Sequence, residues 1–158
     1  TCIMPDKSPL PQYIKKIKVG SKPEAIELTP DNREVWVGHN ESGMVYIINT
    51  GSDQIMDSLK TGVMPIRIKF NAEGSKAYIS DPPANELVEI DVKKREVLRR
   101  LKLSGAPVGL IFDPQSKFLY VALTKENRIA KIELSTFEVI SYAGVGVNPD
   151  GIAYARIR

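Results

Sequence analysis

The sequence is poor in metal-binding and cross-linking side chains. Of 158 residues, one is cysteine (Cys2) and one is histidine (His39). A lone cysteine excludes an intramolecular disulfide and any multi-cysteine zinc or iron–sulfur site. A lone histidine excludes multi-histidine metal centres, and no CxxCH motif occurs to attach a c-type haem. The longest apolar runs are five or six residues, too short for a membrane-spanning helix. The opening TCIMPDKSPLPQ has no apolar stretch of the signal-peptide kind. Charge of one sign is also scarce: 22 basic against 19 acidic residues leave +3, too little to argue for a nucleic-acid partner. The expected leader is a flexible, proline-containing segment over residues 1–12, with Cys2 a free thiol in it. Thr1 precedes Cys2, which does not fit a lipid-modified start.

What is present is a regular composition and a repeat. An apolar fraction of 42% and a charged fraction of 26% describe one globular domain rather than a disordered chain. Proline recurs at Pro23, Pro65, Pro107 and Pro149, each 42 residues after the last. Three residues before each stand Gly20, Gly62, Ser104 and Gly146; three after stand Ile26, Ile68, Leu110 and Ile152. Then follow Leu28, Phe70, Phe112 and Tyr154, and further on Trp36, Tyr78 and Tyr120. The series continues with Ile48, Ile90 and Ile132, then Ile55, Val97 and Val139.

Within a repeat the apolar period is two, which predicts strands rather than helices. In the first repeat the pattern predicts strands A to D at about 24–29, 34–39, 44–50 and 55–61. The connections TPDNR, HNESG and NTGSD carry turn chemistry. Four antiparallel strands repeated at this spacing predict a β-propeller, whose sheets cover their apolar faces by stacking as blades. The GH and WD dipeptides of WD40 repeats do not recur at constant positions; Gly38–His39 occurs once.

The clearest copy, GAPVGLIFDPQSKFLYVALTKENRIAKIELSTFEVI, resembles the YVTN-family β-propeller repeat, and PIRIKFNAEGSKAYISDPPANELVEIDVKKREVL is similar. The resemblance covers about residues 13–158. It implies a propeller with blades over about 21–62, 63–104 and 105–146, preceded by an isolated strand D at Tyr13–Val19. A strand A at Gly151–Arg156, within 147–158, opens the next blade. Three blades do not close a ring, which takes roughly four to eight. The expectation is therefore a partial propeller, a fragment or an oligomerising part of a larger one. Its exposed blade faces should find a second copy or a missing remainder. The resemblance further implies export to a periplasmic or extracellular compartment.

Propeller geometry places strand A at the central channel and the D-to-A and B-to-C loops on one ligand face. That makes Arg67 and Lys69 candidates for an anionic ligand. His39, ending strand B, is a candidate haem or metal ligand or base; beside Gly38 and Asn40 its plainer reading is an exposed turn histidine. Glu24, Asp81 and Asp150 are candidates for an oxygen-rich metal site, against solvated loop carboxylates. Asn127, like Asn85, reads as a turn residue tied to its own backbone. The basic run Lys93-Lys94-Arg95, with Arg99, Arg100 and Lys102, reads as protection of an open sheet edge or as an anion patch. No GxSxG motif or Ser–His–Asp set is present.

A non-catalytic binding or scaffold module is the first functional expectation, and the cofactor is left open. The alternatives are part of a periplasmic quinoprotein- or haem-associated oxidoreductase propeller, a lactonase-like metal-dependent hydrolase, and a DNA-binding propeller.

Overall fold

The computed structural model describes residues 2–4 and 12–155. The chain is all β apart from a single 3-10 turn at Thr124–Glu126 among the described residues. Two short strands, β1 (Cys2–Met4) and β2 (Gln12–Lys15), form an antiparallel pair. Three four-stranded antiparallel sheets follow. Sheet one is β3 (Pro23–Leu28), β4 (Glu34–His39), β5 (Met44–Asn49) and β6 (Ile55–Lys60). Sheet two is β7 (Arg67–Phe70), β8 (Lys76–Asp81), β9 (Glu86–Asp91) and β10 (Glu96–Lys102). Sheet three is β11 (Pro107–Phe112), β12 (Phe118–Leu123), β13 (Arg128–Glu133) and β14 (Glu138–Gly144). Every sheet pairs its strands in chain order, as expected of a propeller blade.

The alternation along each strand decides which sheet it packs against. In β4, Trp36 faces sheet two while Val35 and Val37 face away; Trp36 is fully buried, its ring edge-on to Phe70 at 5.2 Å. Tyr78 of β8 repeats this with Phe112 at 5.5 Å. Between sheets one and two lies a core containing Ala25, Trp36, Ile47, Ile68, Phe70, Ile79 and Ile90. Between sheets two and three lies another, containing Tyr78, Leu87, Leu110, Leu119, Val121, Leu123, Ile132 and Phe137. Burying one such side chain is worth about 1.5–3 kcal/mol, so these two interfaces hold the sheets together.

The D-to-A entries are fastened by the preceding sheet. Asn85 and Asn127 adopt left-handed backbone, with φ of 52° and 54°. Contrary to the expected tie to their own backbone, their side chains reach the next entry. Ala106 N donates to Asn85 Oδ1 at 3.0 Å, and Asn148 N donates to Asn127 Oδ1 at 2.9 Å.

Both flanks differ from the expected strands. The Tyr13–Val19 pattern yields β2 paired with β1, and residues 16–20 carry no ladder. A strand D takes its ladder from a strand C of its own blade, and none lies beside this segment among the described residues. Residues 151–155 likewise lack a ladder, since no strand B is bonded to them; Arg156 lies outside the described residues. Cys2 falls in β1, and residues 1 and 5–11 of the expected leader lie outside the described residues.

Candidate functional site

The strand A residues converge as propeller geometry requires, but they arrive already paired. Arg67 lies between two carboxylates, with Nη1 3.5 Å from Glu24 Oε1 and Nη2 3.2 Å from Asp150 Oδ1. Its Nη1 also donates to the Ile66 carbonyl at 2.7 Å. Glu24 in turn accepts from the Asn40 side-chain amide. Lys69 pairs with Glu27 at 2.8 Å. An anion approaching Arg67 or Lys69 must therefore displace a carboxylate. The structure joins Arg67, Glu24 and Asp150 in one cluster and leaves Lys69 in a separate pair.

His39 is not the exposed turn residue that its neighbours suggest. It is fully buried, its ring 4.3 Å from that of Tyr46. Gly20 lies against it so closely that an added Cβ would be 3.0 Å from His39 Cδ2. Neither ring nitrogen has a hydrogen-bond partner. Burial pulls its pKa below the ordinary histidine value, and the ring is neutral at pH 7. A metal would need further ligands, and no cluster of three His, Cys, Asp or Glu exists among the described residues.

Asp81 holds the equivalent place in sheet two, also buried. Its Oδ2 accepts from Val63 N at 2.6 Å, and its Oδ1 accepts from Met64 N at 3.2 Å and Ala84 N at 3.4 Å. A Cβ at Gly62 would collide with this carboxylate, which explains glycine there. Asp81 therefore fastens a loop, with its oxygens spent on backbone amides, apart from Glu24 and Asp150.

The basic run is mostly consumed in ion pairs. Arg95 pairs with Glu34 and lies 5.3 Å from the Trp36 ring centroid, across the first interface. Arg100 and Lys102 both pair with Glu86. Arg99 pairs with Glu89, whose carboxylate is buried. Burial pushes Glu89 up, but hydrogen bonds from Arg99, Lys76 and Tyr78 outweigh it and hold the group below the usual carboxyl range. Sequence reasoning missed this cluster because Glu89 aligns with Ile47 and Lys131 and so breaks the repeat.

The largest unspent features are two apolar sheet faces. Sheet one turns Ile26, Leu28, Val35, Val37 and Ile48 away from sheet two; Ile26 and Leu28 are exposed, Val35 is half-buried, and Val37 and Ile48 are buried. The half-buried Ile17 and Val19 partly cover this face, leaving a cleft of 480 Å³. Sheet three turns Ile111, Phe118, Tyr120 and Lys131 away from sheet two. Tyr154, the counterpart of Phe70 and Phe112, is 56% exposed there.

No family model matches the chain, and no curated protein matches it. Solved structures do. A chain of Kuenenia stuttgartiensis hydrazine synthase superposes with a TM-score of 0.78 at 18% identity, over 89% of this chain and 42% of that one. The structure of U3-55K superposes at 0.73 with 9% identity, over 81% and 41%. The WD40 repeats of RRP9 give 0.73 at 10%, over 82% and 41%. The fold is that of a β-propeller. The chain spans less than half the length of each of these propeller-type neighbours, and identities this low establish fold alone.

Proposed function

We propose that this chain is a non-catalytic propeller module of the YVTN-repeat type, acting as a binding or scaffold element in a periplasmic or extracellular setting. It associates with protein through its open blade faces, as an oligomerising part of a larger propeller. The observation that carries this reading is the pair of apolar faces on sheets one and three, against candidate catalytic groups that are buried, paired or spent on backbone. Apolar sheet faces that are covered only by single segments and keep exposed residues such as Ile26 and Leu28 support an interaction site.

The test is titration with a dye that fluoresces on apolar protein surface. The folded chain binds it, and Tyr120→Asp with Ile26→Asp lowers the bound signal at least severalfold while circular dichroism stays unchanged. Absence of dye binding, or lactone hydrolysis that appears with a divalent ion and vanishes with chelator, overturns the reading.

A further inference from the structure

We propose that the Gly20–Lys22 entry is a pH-operated latch, seated on sheet one by the neutral His39 ring and lifted when that ring takes up a proton. This rests on the reading of the open face of sheet one as a binding surface and names what regulates access to it.

The direction of His39 places it under the latch. Gly38 points into the first interface, where an added Cβ would meet Ala25 and Pro65. Alternation therefore turns His39 to the opposite, open face, with Val35 and Val37. Gly20 closes over the ring: a Cβ there would lie 3.0 Å from Cδ2 and 3.3 Å from Nε2. The residues just before it, Ile17 and Val19, line the cleft over the same face, together with Ile26, Val37 and Ile48. Lifting Gly20 loosens the cover of that cleft.

The three sheet entries are held by different means. Val63 N and Met64 N of the second entry donate to Asp81, and Ala106 N of the third donates to Asn85. The first entry has no such side-chain acceptor for its backbone, since both ring nitrogens of His39 lack a partner. Among the described residues its backbone bond to the turn is Asn40 N to the Lys22 carbonyl, at 3.0 Å. Contact with an uncharged ring does the rest.

A cation does not fit this seat. His39 is fully buried, so a proton brings charge where neither water nor an acceptor is at hand. The charged groups around it are committed elsewhere. Glu41, on the turn after β4, takes a hydrogen bond from Ser21 and lies 3.8 Å from Lys22; both hold its carboxyl below the ordinary 4.5. Glu24, on β3, accepts from Asn40 and pairs with Arg67. Lys60, on β6, donates to the Ser42 carbonyl and adds positive charge to the same turn. Tyr46, on β5, offers its ring. Gly20 belongs to no ladder, so moving it aside admits water to the imidazolium while the four strands stay paired.

An NMR titration of the full chain from pH 7.5 to 5.0 reads the latch. The Gly20 signals, displaced by the His39 ring at pH 7.5, move to unstructured positions with the same midpoint as the His39 ring signals. The Asn40 amide, bonded to the Lys22 carbonyl, exchanges at least about tenfold faster at pH 5.0 after correction for intrinsic rate, while the Val45 and Ile47 amides do not. His39→Leu holds the Gly20 signals and the Asn40 amide steady over this range. Gly20→Ala, whose Cβ presses on the ring, leaves the Asn40 amide fast at both ends. Binding of the apolar dye rises about threefold between pH 7.5 and 5.0 in the original chain and stays level in His39→Leu. Gly20 and Asn40 that ignore pH overturn the proposal, as does an equal response in His39→Leu, which moves the cause to other groups. Parallel loss of protection at Val45 and Ile47 also overturns it, because sheet one then opens as a whole. A latch that lifts on a chain binding no dye at either pH rejects the open-face reading and, with it, the regulation of access.

Discussion

Arg99 grips Glu89 with two hydrogen bonds, Nε to Oε2 at 2.6 Å and Nη2 to Oε1 at 3.0 Å. The same guanidinium donates to the carbonyls of Leu134 and Thr136 in the turn between β13 and β14 of the third sheet. One side chain thus neutralises a buried carboxylate and bolts two sheets together. Removing it leaves Glu89 with Lys76 and Tyr78 alone. Arg99→Met is expected to cost about 2–3 kcal/mol, less than a fully orphaned buried charge because two donors remain. Urea denaturation followed by circular dichroism measures this. A loss below about 0.5 kcal/mol would show that the cluster is not coupled to folding.

His39 predicts a pH limb of its own. Its folded pKa lies below the ordinary 6.5 because burial disfavours the cation. The unfolded chain therefore takes up the proton first as pH falls. The contribution is fully present above about pH 6.5 and declines below it, by at most about 1.4 kcal/mol per pH unit. The ion pair on the same turn, Lys22 with Glu41, is exposed. Leucine fills the equivalent place in sheet three, so His39→Leu should fold and flatten the limb between pH 7 and 5. Stability profiles of the two proteins over that range should diverge below pH 6.5.

Glu89 acts at lower pH with the same sign. Its folded pKa is below the ordinary carboxyl value, so its stabilisation is present above about pH 4.5 and fades as pH falls through the folded value. Glu89→Gln removes this second decline while leaving the His39 limb in place. Thermal melts between pH 5 and 3 separate the two groups.

Aromatic residues at one repeat position should have unequal worth. Phe70 is buried against Trp36, and Phe70→Ala is expected to cost about 3–4 kcal/mol. Tyr154 occupies the same position in the repeat but is exposed, and Tyr154→Ala should cost under about 0.5 kcal/mol. Comparable losses at the two sites, measured by denaturant titration of the monomer, would mean that the segment beside sheet three is packed as a true blade strand.

Much of this fold can be read from local pattern. The alternation over 34–39 places β4 at Glu34–His39, and the spaced aromatics Trp36 and Phe70 meet face to edge. Such features depend on period and turn chemistry, which a chain displays locally. The candidate site was far less legible. His39 sits in a turn-like sequence, yet Gly20 and Tyr46 bury it, and neither neighbour is adjacent in sequence. Arg67 looks like a channel cation until Asp150, 83 residues away, is found beside it. The segment 13–19 has a strand pattern, but alternation specifies only a willingness to pair. Whether a ladder forms depends on a neighbouring strand, which the pattern does not encode.

Sheet two is sandwiched between two sheets, while sheets one and three each pack against only one. Amide hydrogen exchange on the dilute chain, resolved by strand, reads this difference. End units of a stacked array open before the middle one. Amides of β8 and β9 should exchange slowest, with those of β4–β5 and β12–β13 opening first by at least about tenfold. Equal or greater protection in sheet one or sheet three at concentrations where the chain is monomeric would contradict it.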